Sequence, residues 1–144
     1  MVDKVQGFVG ISELIFLGCA SYFDLKNRAI PIFLLGVFGV LGIFYNVIWN
    51  YQKLEDLFLS VVIGCFFMCI SWISKEAIGY GDSLSFIVLG LLEGGIGVLR
   101  IVFAAFLLSS LYCVWRLLKF KDKRCDTIPF LPFLFLATLG VRVL

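Results

Sequence analysis

The chain has 144 residues, of which 62% are hydrophobic and 17% aromatic, and its net charge is only +2. Only about half of the residues of a soluble globular domain are apolar, so this composition excludes that class and indicates an integral membrane protein. The small net charge argues against nucleic-acid binding, and the absence of histidine excludes Ser-His-Asp, Cys-His and His-Glu-x-x-His sites.

The first apolar run extends from about Val5 to Phe23, which is enough to cross a hydrocarbon layer of roughly 30 Å as a helix. It lacks the charged start and the cleavage site of a removable signal peptide, so we expect a permanent span. Glu13 lies inside this run. Such a residue either faces a functional cavity or is neutralised by a proton or a hydrogen bond to a neighbouring helix, and the sequence leaves both alternatives open.

The second predicted span begins at Pro31, a proline suited to the first turn of a helix, and runs to about Asn50. The third extends from Leu57 to Ile73. The apolar region at 83–118 then holds either two tight spans or one span and a re-entrant segment. A last run covers 128–144, and its two early prolines predict an irregular start.

The distribution of the basic residues favours one of the two alternatives for the middle region. If the segment from Ser83 to Val98 crosses fully, eight of the twelve basic residues share one face, as the positive-inside rule expects for the cytoplasm. These eight are Lys26, Arg28, Lys75, Arg116, Lys119, Lys121, Lys123 and Arg124. We therefore predict an all-α, polytopic protein of the cytoplasmic membrane, with six transmembrane helices in one domain over 1–144 and the N-terminus outside. A tight outer turn is predicted at Gly94, Gly95 and Gly97.

The cysteines predict neither a zinc site nor a disulfide framework, because they form no Cys-x-x-Cys pair and four of them lie in apolar segments. Cys65 and Cys69 lie one helical turn apart, but no third or fourth ligand accompanies them. We expect no metal and no cofactor.

Two acids are predicted to meet at the cytoplasmic boundary. Asp24 closes the first span and Asp82 opens the fourth, so the chain crosses twice between them and returns to the same side. Paired carboxylates suit peptide hydrolysis, because close like charges leave one group protonated while the other is ionised and activates water. Gly79 and Gly81 let the backbone approach a substrate strand, and Tyr80 lines the same predicted cleft. Capping of the fourth helix is the structural alternative for Asp82.

The residues Gly79, Tyr80, Gly81 and Asp82 match the Gly-x-Gly-Asp signature of intramembrane aspartyl proteases. Within that group the chain resembles the type 4 prepilin peptidase family. Its segment 24–31 is similar to the first aspartate motif of that family, and its segment 128–133 is similar to the Pro-Phe-x-Pro-Phe segment. The three matches occur in the family's order and cover nearly the whole chain.

The resemblance implies that the chain cleaves the short basic leader of prepilin-like precursors on the cytoplasmic side, with Asp24 and Asp82 as the catalytic pair and without a metal. We predict substrate contacts at five residues: Gly79, Tyr80, Gly81, Pro129 and Phe130. The large cytoplasmic insertion with paired Cys-x-x-Cys motifs is absent, so the resemblance does not carry over the methyltransferase activity of longer members.

The expected partners are the precursor and membrane lipid, while the oligomeric state stays open. The alternative function is a non-catalytic small transporter or assembly scaffold that uses the same acids to bind cations or a partner helix.

Overall fold

The computed structural model describes residues 2–49, 52–74, 79–120 and 128–143, and these residues form six α-helices and no strand. The helices are α1 (Val2–Asn27), α2 (Ile32–Trp49), α3 (Leu54–Ile73), α4 (Tyr80–Glu93), α5 (Gly95–Phe120) and α6 (Leu131–Val143). The predicted all-α fold is confirmed. Four of the basic residues behind the predicted orientation lie outside the described ranges: Lys75, Lys121, Lys123 and Arg124.

Four helices are long and apolar enough to cross a membrane: Gln6–Asn27, Ile32–Trp49, Leu54–Ile73 and Gly95–Lys119. The other two are shorter, with 14 residues in α4 and 13 in α6. At roughly 1.5 Å per residue, α4 is about 21 Å long, whereas the hydrocarbon layer measures about 30 Å. Length therefore supports four complete spans, and the finer prediction of six depends on how α4 and α6 sit in the bundle.

Helix α4 lies in the centre of the bundle, where it packs against α1, α2, α3 and α5. Its approach to α3 is close, because a Cβ at Gly64 would lie only 2.0 Å from Cγ1 of Ile87. One turn away, the Ser60 hydroxyl donates a hydrogen bond to the Gly90 carbonyl oxygen at 3.1 Å. Small residues bring helix backbones together in membrane bundles in this way. Protein thus surrounds α4, while the outer helices expose mainly apolar side chains.

The turn between α4 and α5 consists of a single residue. Gly94 has φ +89°, a left-handed conformation that strains any residue with a side chain. The sequence predicted a fourth segment that reaches Val98, but Val98 belongs to the first turn of α5. Gly95 and Gly97 are likewise helical, so the predicted glycine turn is shorter than expected.

The start of α6 is irregular, as its prolines predicted. Residues 128–130 are not helical, and the Phe130 carbonyl accepts the first helical hydrogen bonds, from the N–H groups of Phe133 and Leu134. Pro132 lies in the first turn, where a missing N–H costs no helical hydrogen bond. The two prolines therefore define where this helix begins.

Candidate active site

Asp24 lies in the last turn of α1, and its carboxylate meets the start of α6. Its Oδ2 accepts a hydrogen bond from the backbone N–H of Leu131 at 3.4 Å. Leu131 is the first residue of α6, and the first N–H groups of a helix have no partner within it. The positive end of the helix dipole also favours an anion there. The positive charge of Arg28 also acts on Asp24. This nearly buried carboxylate therefore has a helix N-terminus and a cation nearby.

Asp82 is the third residue of α4, and Gly79 is the N-cap residue of that helix. Asp82 therefore does not occupy the capping position that was its structural alternative. Its carboxyl group lies over Gly79, since a Cβ added there would be 3.6 Å from Oδ2 of Asp82. Among the residues that the structure describes, none donates a hydrogen bond to this carboxyl group. The group is thus left available at the N-terminal end of α4.

The two aspartates lie at the same end of the bundle. The negative charge of Asp24 acts on Asp82, which places the two carboxyl groups within electrostatic range of each other. A second contact links their motifs, because a Cβ at Gly81 would lie 3.0 Å from Cδ1 of Ile30. The absence of a side chain at Gly81 lets the start of α4 approach the segment that follows α1. The two aspartate motifs are therefore neighbours in the bundle, while their common membrane side stays a prediction.

Phe130 is anchored in an aromatic cluster at the same end of the bundle. Its ring centroid lies 4.9 Å from that of Phe106 on α5 and 6.0 Å from that of Phe86 on α4. Such ring pairs fix the side chain that precedes α6. Phe130 thereby holds the next residue, Leu131, where its N–H meets Asp24.

An apolar groove of about 430 Å³ lies between α5 and the start of α6. Pro129 and Phe130, two of the predicted substrate-binding residues, line its wall together with Phe133. The remaining lining residues come from α5 and from Ile128: Ser109, Ser110, Cys113, Val114 and Leu117. The groove therefore runs beside the residue that contacts Asp24.

The other predicted substrate-binding residues lie at the start of α4. Gly79 and Tyr80 are exposed, and Gly81 is half-buried against Ile30. The predicted residues thus form two groups, one at the start of α4 and one just before α6. No feature of the sequence singled out the Leu131 N–H, because a backbone donor has no residue signature; its only signal was the nearby prolines.

Chemically, the site combines two carboxyl groups in different surroundings. Burial opposes the ionised form of Asp24, while the backbone donor and the charge of Arg28 favour it. Burial and the charge of Asp24 both oppose the ionised form of Asp82, and no described residue donates a hydrogen bond to it. Two acids with unlike environments are the arrangement that allows one to act as a base and the other as an acid.

Comparisons with known proteins place the chain in a family. The profile of the type IV leader peptidase family matches residues 11–114, a range that contains both aspartates. The chain is 29% identical over 139 residues to the prepilin leader peptidase/N-methyltransferase of Xanthomonas campestris pv. campestris. The alignment covers 92% of this chain and 48% of that relative, so the chain spans about half the length of the curated protein. No solved structure matches the chain.

Proposed function

The chain belongs to the type IV leader peptidase family, and we propose that it is an aspartic endopeptidase that removes the basic leader from prepilin-like precursors. The observation that carries the proposal is the convergence of Asp24, Asp82 and the start of α6 at one end of the bundle. The name of the Xanthomonas relative supports the substrate class. The proposed location is the cytoplasmic membrane, with the aspartates at its cytoplasmic face.

The surroundings of the two acids support a division of roles. Asp24, held by the Leu131 N–H and influenced by Arg28, is the proposed base that activates water. Asp82 is the proposed acid, which polarises the scissile carbonyl and later protonates the leaving amine. The proton belongs to the pair in any measurement, so the pH dependence of cleavage will report both groups together.

The two groups of predicted contact residues support a path for the substrate. The exposed backbone at Gly79 and Tyr80 is the proposed partner of the extended segment that is cut. The groove lined by Pro129 and Phe130 is the proposed seat of the apolar helix that follows the cleavage site. The scissile bond would then lie between these two groups, beside the aspartates.

The short length of α4 suits this role. A helix surrounded by protein need not match the hydrocarbon thickness, because the neighbouring helices shield its ends from lipid. We propose that α4 and α6 are membrane-embedded and complete a bundle of six helices. Water would then reach Asp82 from the cytoplasmic side without a charged group facing lipid.

The test is cleavage of a prepilin-like precursor that is co-expressed with the full chain. Asp24→Asn and Asp82→Asn keep the side-chain shape, and each should lower cleavage by about 10⁴-fold. Glu55→Gln is the matched control, because Glu55 is an exposed acid in the first turn of α3, and cleavage should be unchanged. Full cleavage by either aspartate variant would overturn the proposal. Purified wild-type protein that leaves leader peptides intact would favour the transporter or scaffold instead.

A further inference from the structure

A second polar cluster joins α1, α4 and α6. The Arg142 guanidinium on α6 donates through Nη2 to Oε2 of Glu13 on α1 and to Oε2 of Glu93 on α4, the latter at 3.0 Å. The Glu13 side chain is fully buried, and its Oε1 has no hydrogen-bond partner among the described residues. The sequence left two alternatives open for Glu13. The structure has the second, a hydrogen bond to a neighbouring helix, and the donor is Arg142 on α6.

The surrounding helices leave space for this cluster. A Cβ at Gly10 on α1 would lie 2.0 Å from Nη1 of Arg142, and a Cβ at Gly97 on α5 would lie 2.5 Å from Cγ of Glu93. The cluster therefore occupies volume that a side chain at either glycine would fill. A polar recess of about 360 Å³ reaches Glu93 from the side of Gln52 and the start of α3. The side chains of Glu93 and Arg142 are partly exposed, whereas that of Glu13 is fully buried.

The cluster lies on the same three helices as the candidate active site. On each helix, the cluster residue and the active-site residue are the same number of positions apart. Eleven residues separate Glu13 from Asp24, Asp82 from Glu93, and Leu131 from Arg142. Eleven residues are about three helical turns, so both members of each pair share one helix face and lie about 16 Å apart. The charged cluster and the aspartate pair are therefore two ends of one interface.

Tight packing connects the two ends. The intervening side chains are fully buried on all three helices: Phe16, Leu17 and Ala20 on α1, Phe86 and Leu89 on α4, and Leu134 and Thr138 on α6. Close-packed interiors have low compressibility and transmit displacement. A shift of α1 against α6 at the charged end will therefore reach Asp24 and Leu131.

We propose that the Glu13–Arg142–Glu93 cluster is a positioning site that sets the register of α1, α4 and α6 and thereby the separation of Asp24 and Asp82. Apolar contacts are non-directional and do not by themselves select one helix register, whereas this ion pair is directional, and breaking it leaves the buried Glu13 charge unpaired. The expected effect of this positioning site on cleavage rests on the proposed protease function. Its effect on the distance between positions 24 and 82 does not depend on that function.

The kinetic test compares two alanine substitutions one helical turn apart. Gly10→Ala places a methyl group against the Arg142 guanidinium, whose flexible end must then move. Gly7→Ala is the matched control, because nothing lies within 4 Å of a Cβ there. A displacement near 1 Å can lower kcat by up to about 100-fold, so we expect Gly10→Ala to lower kcat at least tenfold. KM should stay within about twofold, since the predicted substrate contacts lie at the other end.

A second measurement follows the aspartate positions without catalysis. In the full chain with its five cysteines replaced by serine, Asp24→Cys and Asp82→Cys allow crosslinking by a thiol reagent with a short spacer. Adding Gly10→Ala should slow this crosslinking severalfold, while adding Gly7→Ala should not. Gly97→Ala, which displaces Glu93, serves the same purpose if Gly10→Ala fails to accumulate.

The two readouts separate the two hypotheses. Slower crosslinking in the cluster variants supports the positioning role, even if the wild-type chain cleaves no precursor and the proposed function fails. Equal crosslinking in Gly10→Ala, Gly97→Ala and Gly7→Ala overturns the positioning role, even if cleavage by the wild-type chain confirms the protease.

Discussion

The contact between Gly81 and Ile30 offers a sharp test of how the two aspartate motifs meet. A Cβ at position 81 would lie 3.0 Å from Cδ1 and 3.4 Å from Cγ1 of Ile30. Carbon atoms in good contact are about 3.5–4.0 Å apart, so Gly81→Ala pushes the two segments apart by about 0.5 Å. A misplacement of 1 Å can lower the rate by up to about 100-fold. Because the rate depends exponentially on the barrier, half of that displacement should lower kcat by about the square root of that factor, which is about tenfold.

Removal of the opposing methyl group should reverse this effect. Ile30→Val deletes Cδ1, the atom nearest to the added Cβ, so the double variant should recover most of the lost kcat. Neighbours in contact are coupled in this way by about 0.5–3 kcal/mol. The assay is steady-state cleavage of a leader peptide in detergent, with Gly36→Ala as a control because nothing lies near its Cβ. Wild-type kcat in Gly81→Ala, or no recovery in the double variant, would refute the proposed close approach.

Two further predictions concern α4 and α6. Gly90→Ala would place a Cβ 2.4 Å from that of Ser60, so it should lower the free energy of unfolding by about 1–3 kcal/mol. Denaturant titration in detergent measures this, and an unchanged midpoint would contradict the tight α3–α4 packing. Leu131→Pro removes the N–H that donates a hydrogen bond to Asp24, whereas Leu131→Ala keeps this N–H. The proline variant should therefore have a kcat about tenfold lower than the alanine variant. Equal rates in these two variants would show that the hydrogen bond does not matter for cleavage.

The helical content and most helix ends could be predicted because they depend on local properties. Runs of about 20 apolar residues are long enough to span a membrane, and four of the helices have that length. Glycine and proline marked the ends of α4 and the start of α6 for equally local reasons. The predicted boundary at Val98 was wrong because only Glu93 and two glycines separate the apolar residues of α4 from those of α5. The turn there depends on one left-handed glycine, which hydropathy does not register.

The candidate site could be predicted only in part. An even number of crossings between Asp24 and Asp82 was sufficient to expect them on one side, because each crossing reverses the side. The hydrogen bond from Leu131 to Asp24 joins residues 107 positions apart, and a backbone donor leaves no signature in the sequence. Its position depends on how Phe130 packs against α4 and α5.

The sequence by itself determined that this chain is a helical membrane protein, and it predicted that two acids return to one face, because hydrophobic length and chain direction follow from residue order. Only the tertiary structure decided that α4 lies enclosed in the bundle and that Arg142 pairs with Glu13 across 129 residues. The physical reason is that helix partners in a membrane are chosen by close packing and by the partners available to buried charges. Both depend on which faces meet, and that is known only once all the helices are in place.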